Sequence, residues 1–502
     1  MSEGLHCAAS QRAAARMGAF MSVGKAVRYL SLAFALIGVS GMANAQAAKT
    51  AEVRPKAKVC TQCMRATVEF LASDAMKGRG SATEYELIAA EYAASELRKA
   101  GIAPAWPDGS YFQKVPLTFM TFTAPPTLTI AGTAVNWTAG KQFIVRRMSL
   151  PEVSGRLQRA TAQPNTADEK QAGRILLVQG LKGSAAEMQK AVAPYLASGA
   201  AAVMVEVSGP VLDIWEKMAE RATDLPVQVG DKSEIQRRAR PFPILVRPEA
   251  AKELANVSDG AEVRLAGQVS KTTKTTWNVT GVLKPQSGSV KADAIMFSAH
   301  MDHVGVREQG NGGDSIFNGA DDDATGVSAV LELARILGSG AQRPKRPVFF
   351  TLFGSEELGL LGSRYMAEHP PVPLAQIAAV VQFEQLGHPE PKTKPDELWM
   401  TGWERSDLGP RLAKQGATLV ADPYPDQNFF RGSDNYSFAE KGVAAHTISA
   451  SGHFPQYHTP EDEVRNLDWE RMRLGFGGVV DSLLWLANSD FRPTFKPEAA
   501  SK

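Results

Sequence analysis

Five short stretches between residues 300 and 462 carry side chains that could do chemistry together. The first is His300-Met301-Asp302-His303, directly after an apolar run. Residues two apart at a strand end share a side, and a ligating histidine is usually oriented by a carboxylate or carbonyl behind it. His300 therefore reads as a metal ligand and Asp302 as its outer partner or close neighbour. Taken alone, a His-x-Asp is explained better by a satisfied structural histidine. The second stretch is Asn318 to Gly326, with Asp321, Asp322 and Asp323 adjacent. A helix N-terminus accounts for one or two such acids. Three repel one another, and a dication relieves the repulsion, one carboxylate bridging two metals through its two oxygens. In the third, Glu356 and Glu357 cannot easily point the same way. One can hold metal while the other faces a water as general base; a solvated helix start is the plainer alternative. Glu384 ends the fourth, Gln382-Phe383-Glu384, and His453 and His458 lie in the fifth, a Pro-punctuated loop. Imidazole and carboxylate without thiolate suit zinc, and also manganese or cobalt. Two such ions close together form a hydrolytic clamp.

The elements that must position these side chains are legible as runs. Residues 294–299, 348–353, 377–383 and 443–449 are apolar strands. Helices are expected from about Thr325, with Val327, Val330, Ala334 and Leu337 on one face, from about Leu358 to Glu368, and from Trp469 to Ala487. Apolar strands alternating with helices predict an α/β fold with a mostly parallel sheet flanked by helices. The polar motifs then fall at the carboxyl ends of the strands, where such sheets bind ligands. Residues 65–97 read as helical around a loop at Lys77–Ser81. Residues 121–275 hold short β-like runs, a helical segment from Ala185 to about Ala193, and no histidine. They predict an inserted, smaller β-rich domain. The catalytic domain would be discontinuous, 46–120 and 276–490, with a C-terminal tail at 491–502.

Of 502 residues, 44% are hydrophobic and 22% charged, which excludes wholesale disorder. Lys+Arg 55 against Asp+Glu 53 gives no basic excess for nucleic acid or an anionic membrane. Lys25 and Arg28 precede the apolar run Tyr29 to Met42, and Ala43-Asn44-Ala45 follows before Gln46. That pattern predicts a signal peptide over 1–45, with Met17 or Met21 as alternative starts. The run is shorter than the about 20 residues a membrane span needs. The mature protein is expected to be exported, periplasmic or secreted, without stable membrane insertion. Cys60 and Cys63 are expected to form a local disulfide, since a zinc knuckle would need a second pair.

The order and wording of these motifs resemble the dinuclear zinc exopeptidases of metallopeptidase family twenty-eight, which include secreted bacterial aminopeptidases and glutamate carboxypeptidase relatives. The segments are SAHMDHVG, NGADDDATG, FGSEELGLLGS, QFEQLG, RGSDNYSFAEKG and YHTPED. The resemblance covers roughly Thr276–Ala487 and extends to ASDAMKGRGS near the N-terminus. Residues 120–275 resemble, more weakly, the protease-associated domain inserted in such enzymes. The resemblance implies two zinc ions per chain and peptide substrates. It implies His300 and Glu384 on one zinc, Glu357 and His458 on the other, and Asp322 bridging. Glu356 would be the general base, Asp302 the acid behind His300, and Tyr457 a hydrogen-bond donor to the oxyanion. Two positions depart from the family pattern: Glu384 where many members have Asp, and Asn435 where many have His. An aminopeptidase is expected. A carboxypeptidase or dipeptidase of the same family, a glutaminyl cyclotransferase, and a catalytically dead scaffold are the alternatives. The last would have lost ligands or the base, and here every such position is filled.

Overall fold

Four apolar runs become four neighbouring strands that all point the same way. The computed structural model describes residues 57–496, apart from 146–147, 149, 161–170, 182–184, 221–224, 231–240, 286–292, 308–312, 341–342 and 453. The expected signal peptide and His453 lie outside the described residues. In chain order the elements that position the site are α1 (Thr61–Leu71), α2 (Glu84–Lys99), β1 (Phe112–Phe122), β2 (Val269–Leu283), β3 (Ala294–His300), α3 (Gly326–Gly338), β4 (Val348–Phe353), α4 (Leu361–Glu368), β5 (Ile377–Glu384), β6 (Leu398–Met400), β7 (Leu419–Ala421), β8 (Ala444–Ser449) and α5 (Trp469–Asn488). The main sheet runs β7-β6-β8-β5-β3-β4-β2-β1. Its centre, β8-β5-β3-β4, is parallel. β2 and β1 add on antiparallel.

The central strands are buried on both faces, which is why they read as unbroken apolar runs. Successive side chains leave opposite faces. Phe297, Phe350, Leu352 and Val381 pack with Val68, Leu97, Val330 and Phe476 of the helices on one side. Met296, Phe349, Phe353 and Val380 pack with Met366 and Phe438 on the other. Each such fully buried side chain stabilises the fold by about 1.5–3 kcal/mol relative to exposure. The parallel direction brings the ends of β3, β4, β5 and β8 to one edge, and with them His300, Glu356, Glu357, Glu384 and the loop to His458. Cys60 and Cys63 are disulfide-bonded at the start of α1. The Cys60 backbone N–H donates to Glu332 of α3 at 2.6 Å, tying α1 to α3.

The second sheet is built from residues 127–266. Its eight strands include four that are parallel neighbours, Glu152–Arg159, Arg174–Val178, Ala202–Glu206 and Phe242–Val246. It is thus more α/β in character than the short β-runs suggest, and the helix there extends over Ala185–Ala197. It has its own core around Phe143, Ile175 and Ile244. The connection is a ribbon: β1 and β2 pair from Phe112 opposite Val279 to Phe122 opposite Val269. The Thr123 N–H then donates to the Gln268 carbonyl at 2.9 Å. The chain therefore leaves the ribbon at 123 and re-enters it at the adjacent 268, where an inserted domain over 121–275 was expected. One segment returns, since Gln228–Val229 pairs with β1.

No candidate donor lies between 123 and 268. Joining the ribbon by a short turn across that gap, with Met120 and Phe122 changed to Thr because they pack into the second core, is expected to leave metal binding intact. Elemental analysis of the folded variant checks this; a folded variant without metal contradicts it.

Candidate metal centre

His300 is the last residue of β3. Its Nδ1 lies 3.2 Å from the Asp302 main-chain oxygen, which leaves Nε2 facing Asp322 Oδ1 at 3.1 Å. The Asp302 carboxylate stands farther off, 3.9 Å from that Nδ1. It accepts instead from Ser81 Oγ at 2.5 Å and from the backbone N–H groups of Glu356 at 3.0 Å and Glu357 at 3.3 Å. Asp302 thus orients His300 through its main chain and holds the Glu-Glu turn through its side chain.

The three consecutive acids have three different tasks. Asp321 Oδ1 accepts from Thr325 Oγ1 and from the Gly387 N–H. Asp323 accepts from the N–H groups of Gly326, Gln385 and His300, capping α3. Asp322 alone turns its carboxylate to the cluster, Oδ1 toward His300 and Oδ2 toward His458 Nε2 at 3.1 Å. The backbone N–H groups of Asp321 and Asp322 are fixed by the Asp462 carboxylate at 2.9 and 3.0 Å. Gly319 makes the turn possible: its φ is +61°, and a Cβ there would lie 2.6 Å from the His303 ring.

Glu356 and Glu357 diverge because Ser355, at φ 53°, breaks the chain direction after β4. The buried carboxyl of Glu86 accepts from the Ser355 N–H at 2.9 Å, from Thr276 Oγ1 and from the Ala82 N–H. Leu360 is also left-handed, so α4 begins at Leu361 rather than Leu358. Glu357 Oε1 lies 3.0 Å from His458 Nε2 and 2.8 Å from His303 Nδ1. Glu384, at the end of β5, completes a second group with His300 and Asp322. Donors about 2.0–2.2 Å from one tetrahedral ion stand about 3.3 Å apart, close to the spacings seen here.

Electrostatics favour a cation. Burial and neighbouring acids push Glu356 well above the usual carboxylate range, opposed by His300. Burial also lifts Glu384 to about 7, again against His300. For Glu357 burial and Asp322 push upward, and the imidazoles of His303 and His458 hold it down at about 2. Burial opposes the charge on His458, yet Asp322 and Glu357 raise it to about 10. His300 Nε2, His303 Nδ1, Glu357 Oε1 and His458 Nε2 are buried with no hydrogen-bond partner, although they face one another. Unpaired polar atoms are costly inside a protein, and a dication with N/O preference satisfies them together. The donor set fits zinc.

Asp322 belongs to both candidate groups: His300, Asp322 and Glu384 in one; His303, Asp322, Glu357 and His458 in the other. All five expected ligand positions thus converge, with Glu356 beside them. Tyr457 is half exposed, stacks on His458 at 3.9 Å between centroids, and lines a cavity of about 590 Å³ next to Glu384. Sequence reasoning missed His303, although it stands in the quoted motif three residues after His300. It also read Lys77–Ser81 as a plain loop. Arg79 there is fully buried and donates to the carbonyls of Met301, Leu71, Asn318 and Gly319 at 2.6–2.9 Å.

Among known proteins, the chain is 26% identical to aminopeptidase YwaD of Bacillus subtilis (strain 168) over 250 residues, 46% of this chain and 49% of that protein. The chain thus spans about half the length of this curated relative. It is 32% identical to aminopeptidase NAALADL1 of Mus musculus over 113 residues, 22% of this chain and 13% of that one. In fold it resembles the solved aminopeptidase from Aneurinibacillus sp. strain AM-1, with a TM-score of 0.53 at 21% identity over 88% of this chain and 97% of that one. Residues 278–475 match the model of Peptidase family M28. Every donor from His300 to His458 lies inside that match, and this part of the chain is a Peptidase family M28 domain.

Proposed function

We propose that the chain is an exported, zinc-dependent exopeptidase that removes N-terminal residues from short peptides. The observation that carries this reading is the sharing of Asp322 by two donor groups with Glu356 alongside. His300 and Glu384 would hold one zinc, Glu357 and His458 the other, and Asp322 both. When bound, the metals supply Lewis-acid polarisation and a water acidified toward neutrality. Glu356 accepts the proton of the attacking water and returns it to the leaving amine. Asp302 fixes the Glu356 backbone. The Tyr457 hydroxyl donates to the developing oxyanion. Export is supported by the N-terminal apolar run and by the Cys60–Cys63 disulfide, which suits an oxidising compartment.

The amino-end preference is supported by the acids Glu356 and Glu384, suited to an α-ammonium. The cavity that Glu384 borders has Trp399, Phe429 and Phe454 in its walls and would accept an apolar first side chain. A carboxypeptidase or dipeptidase is favoured by one observation instead. The cavity on the His303 and Glu357 side, about 760 Å³, is bordered by Lys77, Lys274 and Arg307, which suit a carboxylate. An aminoacyl anilide, its N-acetylated form and a C-terminally amidated dipeptide separate the two. We expect cleavage of the first and third and rejection of the second. Cleavage of N-blocked dipeptides that requires the free carboxylate reverses the assignment.

A further inference from the structure

We propose that His303 is a fourth protein donor to the metal held by Asp322, Glu357 and His458, and that this closed site fills before the one formed by His300, Asp322 and Glu384. This rests on the metal-centre reading above. His303 is 1% exposed, and its Nδ1 faces Glu357 Oε1 at 2.8 Å and Asp322 Oδ2 at 3.7 Å. The distance to Glu357 suits a hydrogen bond, but the angle does not, and neither ring nitrogen has a hydrogen-bond partner. His446 shows how this fold treats an equally buried structural histidine: Nε2 meets Ser406 Oγ at 2.7 Å and Nδ1 meets the Thr401 carbonyl at 2.8 Å. The His303 ring meets His458 edge-on, with centroids 5.5 Å apart and planes at 76°. Its position is fixed from two sides. The His303 N–H donates to the Arg79 carbonyl at 3.2 Å, and the ring rests where Gly319 leaves no Cβ.

The two metal sites are then unlike. Two imidazoles and two carboxylates close a tetrahedral zinc site in the manner of structural zinc. One imidazole and two carboxylates leave a position open, as catalytic sites do. The open site is the one whose histidine, His300, is the main charge facing Glu356. The closed site would anchor Asp322, and the open site would do the exchange with water and substrate.

The test loads the purified full-length chain with one equivalent of Zn2+ and counts coordinated imidazoles by X-ray absorption. We expect two, from His303 and His458. In His303→Gln, which keeps a hydrogen-bond donor beside Glu357, we expect one. The tighter step of a zinc titration should weaken by roughly 10–100-fold or more, as even outer partners of a metal command that much. A single imidazole on the first ion of the unaltered chain overturns the proposal, as does a Gln variant with unaltered affinity. The count on the unaltered chain needs no substitution, so a misfolded variant does not remove the test. Two ions bound with one imidazole on the first would remove His303 alone; no ions bound would remove the peptidase reading with it.

Discussion

Glu356→Gln is expected to keep both metals and lose turnover by roughly 10²–10⁴-fold. The amide fills the same space between β4 and the cluster, and Asp302 still holds the backbone at residue 356. What it cannot do is accept a proton. An interaction needed only in the transition state lowers kcat and kcat/KM together and leaves KM nearly unchanged. Elemental analysis and melting temperature must match the parent for the result to count. Near-normal turnover in a metal-loaded variant would remove the assigned base.

The second large effect is expected at Asp322. Asp322→Ala should lose both metals and all activity above background, whereas His458→Ala should weaken only one site. The asymmetry follows from geometry: Oδ1 faces His300 and Oδ2 faces His458. Burial alone would push its proton affinity up, yet the imidazoles of His300 and His458 hold the carboxyl far below its usual range. Chelation of the unaltered chain should abolish activity and zinc should restore it. Two ions per chain are expected by elemental analysis. A fully active preparation holding one ion would end the dinuclear reading and favour the glutaminyl cyclotransferase alternative.

The central sheet was legible because parallel strands buried on both faces leave unbroken apolar runs, as at Val348–Phe353. The donors at its edge were legible because chemistry leaves side-chain signatures. The β1–β2 ribbon was not. Most of Ser270–Thr275 is solvent-exposed and polar and is held by the partner strand's backbone, so no apolar rhythm marks it. The turn after β4 hid three residues of the expected helix, since Ser355 and Leu360 adopt left-handed backbone without being glycine themselves. His303 was visible as a letter but not as a donor, because its partners Glu357 and His458 arrive only through the fold. Arg79 was least legible, since its acceptors are main-chain carbonyls and any residue has one.

That guanidinium also sets an order of events during synthesis. Arg79 emerges early, with only the Leu71 carbonyl nearby in sequence. Its other acceptors, from Met301 to Gly319, follow 222 to 240 residues later. A cation with its hydrogen bonds unmade does not enter an apolar interior, so the first helices must wait in an incomplete state. Meanwhile residues 127–266 can begin to pack around a core to which Met120 and Phe122 of β1 also contribute. The carboxylate-rich loop can settle only after residues 301–319 have folded back onto Arg79, one of the oldest parts of the chain.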